Sequence, residues 1–315
     1  MPKRFISLPL YLQLHGTSVF KTMNAKHYYR YILLTGCLFC LCLFSCMERI
    51  DINTDASPPR LVVYGYITTD TTRHAVRITR STGYFVTTKP EGVSNATVSI
   101  SYDEGVIRLN ESSEEPGLYL TSSGIYGIPG KTYNLHASLD FNGDGITEEY
   151  EATSYLPFPA VLDSAAVTVS PFASKYLQVL IWGNLPEESS GNFSLHLLRN
   201  GVVMNDSLQS FHIMQDEYIA SKKFEALPVF QLNPERERYK LLPGDTLTVQ
   251  VESLTAEYAT FIQNAQQEMW GPIPLFSGPP ANLETNIRCL SSDSKIEISG
   301  FFTAFSKHKT SMVYE

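Results

Sequence analysis

Thr97-Val98-Ser99-Ile100-Ser101-Tyr102, followed by Asp103-Glu104-Gly105 and Val106–Leu109, is the stretch whose reading decides the fold. Val98, Ile100 and Tyr102 fall on one face of an extended chain, and Thr97, Ser99 and Ser101 fall on the other. That period of two belongs to a half-buried strand. Asp103-Glu104-Gly105 supplies a turn, so the stretch predicts a β-hairpin.

The same style spreads outward in both directions. Upstream, Leu61–Ile67 is apolar on both faces, with Gly65 a candidate bulge, and Val76 and Ile78 alternate with Arg77, Thr79 and Arg80. Downstream, Gly117–Leu120 opens a short strand, and Tyr133, Leu135, Ala137 and Leu139 share one face. Short strands punctuated by Gly and Pro predict a β-sandwich. Leu156-Pro157-Phe158-Pro159 reads as the connector that ends it. Beyond it, Val167 and Val169, the stretch Tyr176–Trp182, the trio Phe193, Leu195 and Leu197, and the trio Leu247, Val249 and Val251 repeat the pattern, with Trp182 read as core. Thr255–Trp270 is the one persuasive helix: Thr255 can cap it, Glu257 sits in its first turn, Ala259, Ile262, Ala265 or Gln266, and Met269 recur at helical spacing, and Gly271-Pro272 stops it. Ile296, Ile298 and Gly300-Phe301-Phe302 read as closing strands.

The fold class expected is therefore mainly β. It comprises two consecutive sandwiches of the Ig-like or fibronectin-like kind, residues 61–159 and 160–315, the second carrying the amphipathic helix 255–270. Residues 46–60 read as a tether, polar and ending in Ser57-Pro58-Pro59.

Residues 1–45 read as a signal peptide. Lys3, Arg4, Lys21, Lys26 and Arg30 precede an apolar run, Tyr31–Phe44, of about 14 residues, the length of an export h-region and short of the roughly 20 needed to span a bilayer. Met23 is an alternative start, which gives a leader of ordinary length. Leu43-Phe44-Ser45-Cys46 resembles a bacterial lipobox, in which the Cys thiol receives diacylglycerol, so Cys46 is the expected lipidation site; Phe44 is larger than that position usually holds. Loss of the leader removes five of 24 basic residues and none of 32 acidic ones, leaving 19 against 32 and a formal charge of −13. An acidic chain of about 270 residues is a poor nucleic-acid binder. Only Cys289 then remains beside Cys46, so no intrachain disulfide is expected, and Cys289 reads as a small buried hydrophobe.

Chemistry-bearing patterns are sparse. Asp140-Phe141-Asn142-Gly143-Asp144-Gly145-Ile146-Thr147-Glu148-Glu149-Tyr150-Glu151 fits a calcium loop, with Asp140, Asn142 and Asp144 offering side-chain oxygens, Ile146 its carbonyl, Glu148 one oxygen and Glu151 two. The same stretch also reads as a hairpin turn that needs no ion, because Gly143 and Gly145 supply positive φ. His74, His136, His196, His212 and His308 are far apart, with no zinc spacing, no nucleophile elbow and no phosphate loop. No catalytic residue is assigned, no cofactor beyond calcium is expected, and the chain reads as a non-enzyme. Trp270, Ile273, Leu275 and Phe276 sit in a Pro-rich stretch and are the candidate partner-binding residues.

Taken in order, Leu61–Ile67, Val76–Ser81, Ala96–Ile100, Gly130–Leu135 and Pro279–Leu283 resemble a lipoprotein family of Bacteroidota known as domain of unknown function 4249. The resemblance covers nearly all of Cys46–Phe305, with Arg288–Glu297 more polar than the family's pattern. It implies an outer-membrane lipoprotein, on either face of that membrane, often encoded beside a TonB-dependent transporter, and it transfers no catalytic residue. Asp70-Thr71-Thr72, Asp163-Ser164-Ala165, Asp206-Ser207-Leu208 and Asp245-Thr246-Leu247 resemble the O-glycosylation acceptors of such bacteria and equally read as turn pairs. The function expected is an accessory or ligand-binding partner of such a transporter; the alternatives are a cell-envelope glycan hydrolase and a calcium-stiffened structural or adhesion module.

Overall fold

A computed structural model describes residues 29–36, 58–83, 86, 88–219, 221–270, 283–291 and 295–315. The chain divides into two compact units, Met1–Asn53 and Thr54–Glu315. Within the first, residues 29–36 are helical. No helix among the described residues is long and apolar enough to cross a membrane.

The second unit is mainly β. Seven strands come first: β1 (Leu61–Thr68), β2 (Ala75–Arg80), β3 (Thr97–Tyr102), β4 (Gly105–Glu111), β5 (Leu118–Leu120), β6 (Thr132–Leu139) and β7 (Glu148–Tyr155). Then follow β8 (Val161–Val169), β9 (Leu177–Asn184), β10 (Asn192–Arg199), β11 (Val202–Val203), β12 (His212–Gln215), β13 (Lys223–Leu232), β14 (Thr246–Leu254), helix α1 (Ala256–Trp270), β15 (Arg288–Cys289) and β16 (Ile298–Val313). Thirteen strands form one hydrogen-bonded path, β11-β10-β14-β16-β1-β2-β5-β4-β3-β6-β7-β15 with β12 beside β10, while β13-β9-β8 form a separate sheet.

Two cores explain this path. Val63 and Ile67 of β1 and Val76 and Ile78 of β2 meet Ile100 of β3, Leu135 of β6 and Tyr150 of β7, so the first half of the path folds over on itself as a sandwich. Phe193, Leu195 and Leu197 of β10 and Val249 and Val251 of β14 meet Val179 and Ile181 of β9 and Phe224 of β13, which makes the second. Leu156 belongs to the first core and Ala160 to the second. Residues beyond 160 nevertheless return to the first core, namely Ile287, Phe302 and Ala304, because strand pairing is non-local.

β16 is the reason. Leu61↔Ile298 through Thr68↔Phe305 pair β1 with its first half in parallel, and Ser253↔Ser306 through Thr246↔Val313 pair β14 with its second half antiparallel. The close approach to β1 demands glycine at 300, where φ is 103° and a Cβ would lie 2.0 Å from the Val63 carbonyl oxygen. Gly65 is not a bulge: its register is unbroken on both sides, and a Cβ there would lie 2.8 Å from Val76 Cγ2. Trp182 is half-buried and lies outside the core cluster, since Ile181 and Gly183 take the inward face of β9. The Phe302 backbone N–H donates to Asn286 Oδ1 (2.9 Å) and its carbonyl accepts from Asn286 Nδ2 (2.8 Å), while Ala304 N–H donates to Ser154 Oγ (2.9 Å). Side chains thus satisfy backbone groups of β16 that no strand reaches.

Phe302 is fully buried where β16 pairs with β1. Phe302→Ala is expected to lower unfolding stability by about 3–5 kcal/mol, read as a lower urea midpoint by circular dichroism; an unchanged midpoint would contradict this placement.

Candidate functional site

Helix α1 follows β14 directly and folds back over the outer face of the β10-β14-β16-β1 ribbon. Thr255 Oγ1 accepts the Tyr258 N–H (3.3 Å), as the sequence predicts for a cap. Tyr258, Ala259, Ile262 and Ala265 are buried, one helical face. The first three pack with Leu254, Phe301 and Phe305. Gln266 Nε2 donates to the carbonyls of Leu208 and Phe211 (both 2.8 Å), pinning the helix to the segment before β12.

Beneath the helix lies a polar cluster. Glu252, with 8% of its side chain exposed, faces His196 Nε2 at 3.2 Å and Lys307 Nζ at 3.8 Å. It also accepts from Ser194 Oγ (3.3 Å) and Gln250 Nε2 (3.0 Å). Lys307 reaches on to Asp70 Oδ2 at 3.2 Å. Four partners thus replace the water that burial takes from this carboxylate. Ser194 Oγ lies 2.9 Å from His196 Nε2, the same nitrogen that meets Glu252. A serine relay needs the hydroxyl on one ring nitrogen and the acid on the other. Ser194 is also fully buried, and Phe211 packs edge-on against the His196 ring at 4.8 Å. The cluster links β10, β14, β16 and the residues just beyond β1, and Ser194 and Glu252 share one ring nitrogen of His196.

Two tyrosines and a histidine extend the cluster. The hydroxyls of Tyr64 and Tyr258 lie 2.7 Å apart. Burial is the main cause that pushes both phenols above their ordinary value, Tyr258 strongly, and the nearby Glu252 charge acts in the same sense. His74 is fully buried, its Nε2 3.0 Å from the Ile125 carbonyl and its Nδ1 without a partner. Burial pushes its pKa below the ordinary 6.5.

Beside the first turns of α1 opens a cleft of about 400 Å³ lined by Glu257, Thr260, Phe261, Asn264, Glu284 and Phe301. Its floor is aromatic, the Phe261 and Phe301 rings 4.9 Å apart, and the named charges on its wall are both acidic. A second hollow of about 440 Å³ near Arg73 is polar, and its Glu111 is committed to the amides of Asn95 (3.0 Å) and Gly117 (2.9 Å).

The 140–151 loop is organised by its own hydrogen bonds. Asp140 accepts the amides of Gly143 (2.7 Å), Asp144 (3.2 Å) and Gly145 (2.9 Å), and these, Gly145 first, hold its carboxyl below the usual range. Asp144 Oδ1 accepts the Ile146 amide (2.8 Å), and Glu148 accepts the Phe141 amide (3.3 Å). Asn142 and the Ile146 side chain are exposed. Glu148 is buried on the core face of β7, whereas Glu151, three residues on, takes the opposite face beside Arg288. The loop brings Asp140, Asp144 and Glu148 near one another in sequence but does not gather all six expected ligands. Among the described residues no group of three or more His, Cys, Asp or Glu could hold a metal.

The family profile for Domain of unknown function (DUF4249) matches residues 47–311. The chain belongs to that family. No curated protein matches this DUF4249 chain. Cys46, Ile273, Leu275 and Phe276 lie outside the described residues, and Trp270 ends α1. Cys289 is half-buried against the first core. No motif marks Glu252 or Lys307 in the sequence, where a polar residue in an alternating strand ordinarily faces solvent. The signal that finds them is α1 itself, an amphipathic helix that must cover one face of the strand it follows.

The His74 shift sets a pH dependence. The unfolded chain takes up this proton near pH 6.5 and the folded chain only lower, so its contribution is whole above 6.5 and is lost as pH falls through the folded value. Urea midpoints measured from pH 7.5 to 5 should decline less steeply in His74→Gln than in the parent; equal slopes would count against this assignment.

Proposed function

We propose that this DUF4249 chain is an outer-membrane lipoprotein, tethered by lipid on Cys46, that acts by binding, as an accessory partner of a TonB-dependent transporter. The observation that carries this reading is the start of the family match at Met47, immediately after Leu43-Phe44-Ser45-Cys46. The family match therefore begins next to the cysteine that lipobox processing would leave modified. The transporter partner follows from the family resemblance. Binding rather than turnover is favoured by the closed Ser194–His196–Glu252 cluster, whose single shared nitrogen suits no proton relay. The aromatic cleft beside α1, with Glu257 and Glu284 on its wall, is the ligand site this reading assigns, and its chemistry suits an apolar body bearing a positive charge.

Cys46→Ala is the test of the anchor. The parent should partition with outer membranes, incorporate labelled fatty acid and co-purify a transporter from detergent extracts. The variant should lose the label and move to the soluble fraction. Membrane retention of an unlabelled variant, or extracts that never yield a transporter, would refute the corresponding half of the proposal.

A second reading, hydrolysis of an envelope glycan, draws on the two acids that line this one cleft. Under that reading Glu257→Gln combined with Glu284→Gln abolishes release of reducing sugar from envelope glycans; parent protein that releases none excludes it.

A further inference from the structure

A sheet edge exposes a row of unpaired amides and carbonyls, and proteins guard such edges with short strands, prolines, bulges or charges. Most edges here carry such devices. β11 and β15 have two residues each. Asn286 and Ser154 occupy backbone groups of the first half of β16. β13, one edge of the three-stranded sheet, holds Pro228, two register breaks, Ala226 at φ 51° and a Lys223–Glu225 ion pair.

β8, the opposite edge of that sheet, is different. It runs for nine residues. Only its first end is capped, the amide of Ala160 donating to Ser253 Oγ (3.0 Å) and that of Leu162 to His308 Nδ1 (3.1 Å). Past the register break between Leu162 and Ser164, the residues Ser164–Val169 include no charge and no proline. The Ser170 amide donates to the Tyr176 carbonyl (2.8 Å), which fixes the phase of the β8–β9 ladder. Ser164, Ala166 and Thr168 therefore bond towards β9, and Ala165, Val167 and Val169 turn their N–H and C=O groups away. Among the described residues nothing pairs with these groups. Val169 is 58% exposed and Phe172, in the turn beyond it, 92%.

We propose that the open edge of β8 is a self-association surface, at which a second copy of this chain adds its own β8 antiparallel and joins the two three-stranded sheets. The strand is self-complementary. A two-fold axis through Val167 sets Val167 against itself and Ala165 against Val169, so outward-facing groups meet outward-facing groups along the whole free span. No charges oppose within it, because 164–169 has none. Asp163, whose carboxylate accepts from Asn184 Nδ2 (3.1 Å), falls opposite Pro171. The pairing stops where the cap begins, with Phe172 opposite Leu162. Such contact is small beside the ~1,000 Å² of a stable interface, so the dimer is weak and concentration-dependent.

Sedimentation equilibrium of the full chain in mild detergent, over a concentration series, tests the proposal. The parent should show reversible monomer–dimer exchange. Val167→Pro deletes an N–H that faces away from β9, so the sheet is retained. It removes two bonds at the axis and should weaken dimerisation about 10-fold or more. Val169→Lys places a charge at an exposed edge position and should weaken it in the same direction, and it serves if the proline variant misfolds. A parent that stays monomeric at every concentration overturns the proposal and leaves the edge to a strand from another protein. A dimer undisturbed by a folded variant overturns it equally.

Discussion

The change of partner along β16 governs this structure. Its first half runs parallel to β1 and its second half antiparallel to β14, so one continuous strand is a wall of both sandwiches. A parallel pair needs a long crossover, and here it runs from residue 69 to residue 297. The first core takes Phe302 and Ala304 from this returning strand, and Met312 near its far end packs against the second. Gly300 permits the approach, Phe302 fills the first core behind it, and Asn286 and Ser154 satisfy the backbone groups left over.

The polar cluster sits where that change occurs. Phe305 is the last residue paired with β1 and Ser306 the first paired with β14. Lys307 follows at once and links Asp70, just beyond β1, to Glu252 of β14. Of these groups only Glu252 is buried, and His196, Ser194 and Gln250 complete the shell that makes its burial tolerable. The result is a stiff, closed junction, with the open features, cleft and strand edge, displaced from it. This arrangement suits the proposed role of a tethered binding body.

Local structure was legible in the sequence. The β3–β4 hairpin, the inward faces of β6, β10 and β14, and the Thr255 cap all follow from periods and capping chemistry that act within a few residues. Long-range structure was not. Nothing near Leu61 announces Ile298 as its neighbour, so Ile287, Phe302 and Ala304 were expected in the second sandwich and pack into the first. Gly65 read as a bulge because glycine in a strand means either bulge or close approach, and only the Val76 and Phe302 neighbours decide between them. The acidic loop was legible as a turn at Asp140 and Gly143. What the ligand spacing did not show is that β7 begins at Glu148, which sets Glu148 and Glu151 on opposite faces of the strand.

Native-state hydrogen exchange in low urea tests the shared strand most directly. If β16 binds the two sandwiches into one cooperative unit, the slowest amides of β1 and of β14 open with the same free energy and the same urea dependence. Amides of β14 that open at distinctly lower free energy while β1 stays protected would contradict it.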